Sequence, residues 1–387
     1  RPADQRGGCR SLPGHMDRHG GAGGAVIYLD YQATTPLAPE AFEAMVPLLR
    51  DQFANPHSAH RAGRMVAAQV ELARDAVGQL LPPGGKLLFT SGATEALNIA
   101  IQGAPAGGIV TIATEHAAVL DTVAAMRRMG RAVTVLPVDG DGLVDLAAAA
   151  RAIVPGVALV VAMLVNNEIG VIQPVGALAE LAHGAGALFL CDAVQGYGRV
   201  PIPDPCDMVA ISAHKIHGPK GIGALWLRDG VKIDPLIHGG GQEGGLRSGT
   251  LSPALCAGFG VAARLMREQA EADRAHIAAL SAQARALFAD WTLNGSADAR
   301  YPGNLNIRRA GIDGARLLSD CRNMSFSLGS ACASGSGRPS HVLRALGLSD
   351  GQARGSVRIG FGRYTTPAEL EEAAKVINGA ATAQAAP

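Results

Sequence analysis

Lysines, paired cysteines and long apolar runs are all scarce in this sequence. Only five of its 34 basic residues are lysines, so a lysine with a chemical role has few candidates. The longest unbroken apolar run, 157–165, has nine residues, whereas a membrane-spanning helix needs about 20. The six cysteines include no CxxC pair and are too few in 387 residues for a disulfide scaffold. We therefore expect no membrane span and a reducing, cytoplasmic compartment.

Charge of one sign is not in excess either. The 34 basic and 33 acidic side chains leave a net charge of +1, so the totals give no electrostatic sign of a nucleic-acid or membrane partner. With 48% hydrophobic and 17% charged residues, the composition is that of a globular protein. Residues 1–24 lack the apolar core of a signal peptide, and we expect them to form a disordered tail.

Between residues 40 and 250, helical segments alternate with short apolar, β-branched runs. This alternation is typical of an α/β protein with a mainly parallel sheet. The seven predicted strands are 86–90, 108–112, 132–136, 158–164, 187–191, 208–211 and 224–227. The helices predicted between several of them are 62–80, 94–102, 119–129 and 175–183.

The pattern changes after residue 251 and predicts a small α+β unit. Its predicted elements are a helical stretch at 254–290, a strand at 304–307, a helix at 314–321 and a strand at 356–361. We therefore predict a large domain at 25–251, whose first residues pack on the small domain. The small domain spans 252–387 and carries a glycine- and serine-rich loop at 327–340.

Polar residues follow directly after five of the predicted strands. They are Ser91–Glu95, His116, Asn166–Glu168, Asp192–Gln195 and Ser212–Lys215. Ligands of open α/β sheets bind at the carboxyl ends of the strands. These five clusters are therefore the candidate site.

Three of the clusters suggest chemistry, although each also has an ordinary structural explanation. The turn Ser91-Gly-Ala-Thr94-Glu95 offers free backbone N–H groups to a phosphate, but its serine and threonine are also common helix N-caps. Asp192, at the rim of a buried sheet, needs a cation or hydrogen-bond donor, which a cap or an arginine would equally provide. Lys215 follows the next strand; burial would lower its pKa and make it nucleophilic toward carbonyls, whereas a surface lysine would stay protonated.

In combination, a phosphate turn, an imidazole, a carboxylate and a lysine form the set that pyridoxal phosphate requires. The phosphate binds a helix N-terminus and the aldehyde reacts with a lysine. An acid keeps the pyridine nitrogen protonated, and a flat side chain stacks on the ring. The sequence therefore predicts pyridoxal 5'-phosphate as the cofactor.

The sequence also resembles the cysteine desulfurases of the iron–sulfur-cluster and nitrogen-fixation type, which belong to the class V aminotransferase-like enzymes. The resemblance implies the fold type I transferase fold. It is carried by motifs in the family's order over about nine tenths of the chain: Tyr28–Pro36, Asn55–Ser58, Thr90–Glu95, Thr114–His116, Val165–Gly170, Asp192–Gln195, His214–Gly221, Arg247–Thr250, Gly329–Cys332 and Val357–Ile359. Each motif alone is weak, but their joint occurrence is highly specific.

The resemblance implies roles for individual residues. Lys215 matches the lysine that binds the cofactor covalently, Asp192 the partner of the pyridine nitrogen, and His116 the catalytic residue stacked on the ring. The other cofactor contacts implied are Ala93, Thr94, Asn167, Gln195, Ser212, His214 and, from the neighbouring subunit of a homodimer, Thr250. Asn167 also contacts the substrate, and Arg358 matches the arginine that binds the substrate carboxylate. No metal site is predicted.

Cys332 matches the family's nucleophile. Its surroundings, Ser327–Gly337, have almost no apolar anchor, so we expect an exposed thiol. The resemblance implies that Cys332 takes sulfur from L-cysteine as a persulfide and that L-alanine is released. The sulfur then passes to an acceptor protein, such as a scaffold for iron–sulfur clusters, or serves thiolation. The resemblance also implies that Lys215 is the base for the α-proton and that His116 moves protons of the substrate thiol.

Other functions remain open at this point. A selenocysteine lyase or a class V aminotransferase would share Lys215, Asp192 and Arg358, although transamination needs no thiol and Cys332 argues against it. A non-catalytic binding protein of the same fold would not need Lys215 and Cys332. The sequence also departs from the family pattern: Gly244-Gly245 replaces an arginine-containing turn, and Gly337-Arg338 replaces a Leu-Glu pair.

Overall fold

The structure, a computed structural model, describes residues 26–328 and 339–385. Its strands are β1 (Ile27–Tyr28), β2 (Gly85–Thr90), β3 (Gly108–Ile112), β4 (Val133–Leu136), β5 (Val157–Met163), β6 (Leu188–Asp192), β7 (Met208–Ser212), β8 (Gly223–Arg228), β9 (Thr292–Leu293), β10 (Asn304–Arg308), β11 (Met324–Ser325) and β12 (Ser356–Gly360). Its α-helices are α1 (Pro39–Arg50), α2 (Arg61–Gly78), α3 (Ala93–Gly103), α4 (Ala117–Arg128), α5 (Leu146–Ala152), α6 (Val175–Gly184), α7 (Pro253–Glu268), α8 (Ala270–Leu287), α9 (Gly314–Asp320), α10 (His341–Ala345), α11 (Asp350–Arg354) and α12 (Pro367–Ala385).

Strands β2 to β8 form one seven-stranded sheet in the order β2-β8-β7-β6-β5-β3-β4. All neighbours are parallel except β8, which runs antiparallel to both β2 and β7. Successive residues of β5 face opposite sides: Val160 and Ala162 pack with α6 and α7, while Leu159 and Val161 pack with α3 and α4. Both faces are therefore buried, as parallel sheets require, and the predicted seven-stranded α/β sheet is confirmed.

The later part of the chain forms the predicted α+β arrangement. Strand β10 pairs antiparallel with β9 and β12, α8 lies against β10, and α12 lies against α8. The helical stretch predicted at 254–290 is two helices, because the backbone turns at Gln269 (φ −106°, ψ 8°). Helix α7 packs against α1 and α2, whereas α8 packs on β10. The division at residue 251/252 stays a prediction.

A segment at 27–36 connects the seven-stranded sheet with the three-stranded sheet β9-β10-β12. Strand β1 pairs in parallel with β11, and the backbone N–H of Gly360 in β12 donates to Leu29 O at 2.7 Å. Further along, the N–H of Thr35 donates to His214 O at 2.9 Å, beside the carboxyl end of β7. The segment is thereby held over the sheet edge where the polar clusters lie. No helix in the described ranges is both long and apolar enough to cross a membrane.

Candidate active site

The sequence-predicted polar residues lie where strands of the large sheet end. Asp192 is the last residue of β6 and Ser212 the last of β7. His116 caps the N-terminus of α4, four residues after β3 ends, and α3 begins three residues after β2 ends. These strand ends meet at one edge of the sheet because the strands are parallel. Side chains of opposite charge therefore lie together at that edge.

Lys215 is held in a polar, half-buried position. Its Nζ donates to the backbone oxygens of Gln32 and Ala33, each at 2.7 Å. Burial lowers its pKa to about 7, helped by the positive charges of Arg358 and Arg199 and opposed by Asp30 and Asp192. A lysine with this pKa is substantially unprotonated near neutral pH, which a nucleophilic amine requires.

Asp192 is buried and faces the cations of the site. Its Oδ1 accepts from the N–H of Val194 at 3.0 Å. Burial raises its pKa overall, although that hydrogen bond, His116 and Lys215 act in the opposite direction. A second carboxyl, Glu115, is fully buried nearby, and burial together with the charge of Asp192 raises the pKa of Glu115 well above 4.5. We assign the proton of the pair to Glu115, so that Asp192 carries the negative charge.

His116 and Thr94 line one surface depression. The N–H of Ala118 donates to His116 Nδ1 at 3.1 Å, so a neutral imidazole carries its proton on Nε2. The other residues that line the depression are Asn98, Ala117, Ala118, Asp121, Thr122 and Ala125. The first turn of α3, Ala93 and Thr94, contributes helix N–H groups at the rim, where an anion is favoured.

Gly223 of β8 allows this turn to approach the sheet closely. A Cβ there would lie 2.7 Å from Gly92 C, 2.8 Å from Ala93 N and 2.6 Å from Ile211 O. All three atoms belong to the backbone, so the movement of a neighbouring side chain could not make room for a Cβ at position 223. The glycine therefore fixes the distance between the α3 N-terminus and the end of β7.

Arg358, in the middle of β12, has a side chain that is 1% exposed and points toward the same edge. Its Nη2 donates to Asp30 Oδ1 at 2.6 Å, and its Nη1 donates to the backbone oxygen of Asn167 at 3.0 Å. Its buried Nε has no partner among the described residues. An unpaired buried donor is costly, and a carboxylate bound there would satisfy it.

The remaining predicted residues lie beside Lys215 or farther away. Gln195 donates through Nε2 to Gln32 O at 2.9 Å. His214 contacts Thr34 Oγ1 through Nδ1 at 3.2 Å, and burial, Lys215 and Lys220 lower its pKa to about 4, so it is neutral at pH 7. Thr250 is exposed.

No hydrogen bond joins Thr250 to Lys215 among the described residues. The segment of Thr250 is tied to α3 by an ion pair in which Arg247 Nε donates to Glu95 Oε1 at 2.6 Å. Cys332 lies outside the described residues. Its assignment rests on the sequence.

The sequence pattern does not indicate several of the contacts in this site. Gln32 and Ala33 act through backbone oxygens, so their side chains do not reveal the contact with Lys215. Asp30 lies in the motif Tyr28–Pro36, but its hydrogen bond to Arg358 spans 328 residues. Glu115 lies between two noted residues, and its proximity to Asp192 follows from the sheet order alone.

The residues present fit pyridoxal phosphate. The exposed first turn of α3 suits a phosphate, Lys215 supplies an amine that is deprotonated near pH 7, and Asp192 supplies a buried carboxylate with no ion pair among the described residues. No cluster of three metal-ligating side chains occurs in the described ranges. Fold and site together define the class of pyridoxal-phosphate enzymes built on a doubly covered α/β sheet.

Comparison with known proteins narrows this class. The family described as aminotransferase class-V matches residues 27–372, and the chain belongs to that family. Cysteine desulfurase IscS of Rickettsia bellii is 42% identical over 372 residues, which cover 91% of this chain and 90% of the relative. The mitochondrial cysteine desulfurase of Saccharomyces cerevisiae is 44% identical over 374 residues, covering 92% and 75%.

A solved structure agrees with these relatives. A NifS-like protein superposes with a TM-score of 0.85 at 31% identity, covering 92% of this chain and 98% of that protein. The predicted resemblance to cysteine desulfurases and the predicted fold type I architecture are therefore confirmed.

Proposed function

We propose that this chain is a pyridoxal-phosphate-dependent cysteine desulfurase that converts L-cysteine to L-alanine and passes the sulfur to an acceptor protein. The observation that carries the proposal is Lys215: a lysine with a pKa of about 7 lies beside the buried Asp192 in a chain about 42% identical to a curated desulfurase. The cofactor, the roles of individual residues, the partners and the cytoplasmic location are parts of the proposal.

The cofactor would be held by residues at the sheet edge. Ala93 and Thr94 offer helix N–H groups to the phosphate, with Ser212, His214 and the partner subunit's Thr250 beside it. Asp192 would pair with the pyridine nitrogen, and His116 would stack on the ring. Asn167 and Gln195 would contact the polar edge of the ring. When bound, the ring accepts the electron pair left after loss of the substrate's α-proton.

Proton movement is the task of Lys215 and His116. Lys215 Nζ accepts the α-proton of the substrate because a pKa of about 7 leaves the amine free at neutral pH. Asp192, charged and buried, keeps the nitrogen of the ring protonated. His116 carries its proton on Nε2 and exchanges it with the substrate thiol. Arg358 Nε is the unpaired donor for the substrate carboxylate.

Sulfur transfer balances without any outside oxidant. The Cys332 thiolate attacks the sulfur of L-cysteine, so an S–S bond forms while the substrate's Cβ–S bond breaks. The carbon side keeps the electron pair of that bond and takes up a proton. L-cysteine and the Cys332 thiol therefore give L-alanine and a Cys332 persulfide. A second thiol, on an acceptor protein, then removes the outer sulfur.

The test is product stoichiometry from L-cysteine. Purified protein loaded with pyridoxal phosphate, given L-cysteine and dithiothreitol, is expected to release alanine and sulfide in equal amounts. Alanine is measured by chromatography and sulfide by its methylene-blue product. Formation of alanine without sulfide, dependent on an added keto acid, would instead indicate an aminotransferase. A large preference for selenocysteine would indicate a selenocysteine lyase.

The proposed homodimer is supported by exposed apolar side chains on and beside the first two helices. These side chains, the α1/α2 patch, are Leu37, Phe42, Leu49, Phe53, Met65 and Leu72. Phe42 and Leu49 are seven residues apart in α1, as are Met65 and Leu72 in α2, so each pair shares a helix face. Several exposed large apolar side chains are typical of protein interfaces. The partner it fits is a second copy, because Thr250 is exposed and the family resemblance places it in a neighbouring site.

Sedimentation tests the dimer. The native chain is expected to sediment at about twice its mass of 39.5 kDa, and Phe53→Asp, which puts a charge on the α1/α2 patch, is expected to give monomers. The control is Met129→Asp, since Met129 is also exposed (75%, against 83% for Phe53) but lies outside the patch. A native monomer, or a dimer unaffected by Phe53→Asp, would contradict this interface.

The cytoplasmic location is supported by cysteine chemistry. The four free cysteines of the described ranges, Cys191, Cys206, Cys256 and Cys321, are all buried and none is in a disulfide. Reduced thiols are typical of cytosolic proteins. Among the relatives, the enzyme from Saccharomyces cerevisiae is named as mitochondrial.

A further inference from the structure

Arg199 lies in the turn region that follows β6, and none of the roles assigned above belongs to it. The turn is closed by the backbone bonds Gly196 N–H to Ala193 O at 2.9 Å and Arg199 N–H to Gly196 O at 2.8 Å. The segment is not a regular helix, because Gly198 has φ +72°. The side chains of Gln195 and Arg199 are nevertheless in direct contact.

The guanidinium of Arg199 bridges two segments of the site. Its Nη1 donates to Gln195 Oε1 at 3.1 Å and to Gln195 O at 3.4 Å, and its Nη2 donates to the backbone oxygen of Lys215. Its central carbon lies 5.3 Å from the ring centroid of Tyr301, which adds a cation–π contact. A planar guanidinium with several fixed donors can bridge two segments and stack on a ring at once, whereas a lysine ammonium cannot.

These bonds close a ring of contacts around Lys215. Gln195 Nε2 donates to Gln32 O at 2.9 Å, and Lys215 Nζ donates to the same oxygen at 2.7 Å. Arg199 therefore contacts the backbone of Lys215 directly and its amine through Gln195 and Gln32. We propose that Arg199 is a positioning residue that holds Lys215 and Gln195 in fixed relation to each other.

The position of Arg199 also has an electrostatic consequence. The charged groups that act on Lys215 are Arg358 and Arg199, which lower its pKa together with burial, and Asp30 and Asp192, which raise it. Arg358 is neutralised in part by its ion pair with Asp30, whereas Arg199 has no carboxylate partner among the described residues. Removing the charge of Arg199 is therefore expected to raise the pKa of Lys215.

The first test needs neither cofactor nor sulfur transfer. Protein stripped of cofactor is treated with the N-hydroxysuccinimide ester of acetic acid from pH 6 to 10, and acetylation of Lys215 is followed by peptide mass spectrometry. Arg199→Gln is expected to raise the pH midpoint of labelling by about one unit. Arg199→Lys keeps the charge and is expected to stay within about 0.3 units of the native midpoint.

The control variant is Arg228→Gln. Arg228 resembles Arg199 in its contacts: its guanidinium carbon also lies 5.3 Å from an aromatic centroid, that of Trp226, and its Nε donates to the backbone oxygen of Cys206 at 3.1 Å. It lies at the opposite sheet edge, because β8 runs antiparallel to its neighbours. Arg228→Gln is expected to leave the midpoint unchanged, whatever it does to thermal stability.

The second test separates geometry from charge and rests on the proposed function. Arg199→Lys cannot bridge Gln195 and Lys215, so we expect pyridoxal phosphate, titrated by its absorbance, to bind about tenfold more weakly than in the native protein. The proposal would be overturned if Arg199→Gln kept both the native pH midpoint of labelling and the native affinity for pyridoxal phosphate. It would also be overturned if Arg228→Gln shifted that midpoint as much as Arg199→Gln does. A native chain that binds no pyridoxal phosphate would refute the proposed function, while the labelling result would still decide the role of Arg199.

Discussion

Replacing Lys215 with alanine is expected to lower alanine production from L-cysteine by about a thousandfold or more. Two functions would be lost together, because in the proposed mechanism the same Nζ binds the cofactor covalently and accepts the α-proton. Pyridoxal phosphate would then be held only by the non-covalent contacts proposed at the α3 N-terminus and Asp192. Turnover is measured as alanine released, and covalent attachment as label retained by the protein after borohydride reduction and denaturation.

Lys232→Ala is the control for this prediction, since Lys232 is an exposed lysine on the loop after β8. It is expected to keep native turnover and native covalent labelling. Removal of Lys215 also leaves the oxygen of Ala33 without its donor and that of Gln32 with only Gln195 Nε2, so the thermal unfolding temperature is recorded for both variants. Label retained by folded Lys215→Ala would show that another lysine binds the cofactor, and the assignment would be wrong.

Replacing Cys332 with alanine is expected to abolish sulfide release while leaving pyridoxal phosphate bound with native absorbance. The thiols in the described ranges, which do not include Cys332, cannot take over the attack on the substrate sulfur. Burial raises the pKa of Cys256 to about 12 and also raises the pKa of Cys321. For Cys191, its contact with Cys206 is the largest cause of a raised pKa, followed by burial. A buried thiol that stays protonated is neither accessible nor nucleophilic.

The control for Cys332→Ala is Cys256→Ala. Cys256 lies in α7 and is fully buried, so its loss is expected to cost about 1 kcal/mol of unfolding free energy and no activity. Sulfide and protein-bound persulfide are measured for both variants with and without dithiothreitol. Sulfide release from Cys332→Ala at the native rate would mean that a different nucleophile, or none, takes the sulfur.

The sequence alone was enough for the sheet and for the residues at its edge. All seven central strands were predicted to within about one residue, because strands buried on both faces read as short apolar runs between glycine-rich turns. The same strand ends located His116, Asp192 and Lys215. The break at Gln269 was missed, since both helices continue the same helical pattern and nothing but the local backbone separates them.

The contacts that adjust the site could not be predicted in this way. Lys215 is bound by two backbone oxygens, and a backbone oxygen is present at every residue. Arg199 is one of 29 arginines, and its side chain gains a role from lying four residues after Gln195 and against Tyr301. The proximity of Glu115 to Asp192 depends on the neighbouring positions of β3, β5 and β6 in the sheet. Such features depend on tertiary structure rather than on local pattern.

The segment at 27–36 also determines when during synthesis the pocket can form. Lys215 takes its acceptors from residues 183 and 182 positions earlier, and Asp30 pairs with an arginine 328 positions later. A ribosome releases the chain N-terminus first, so this segment emerges early and lacks its final partner until β12 has left the exit tunnel. A nascent chain that ends before β12 therefore contains Lys215 without the complete pocket, and we expect completion of the pocket to be one of the last events of folding.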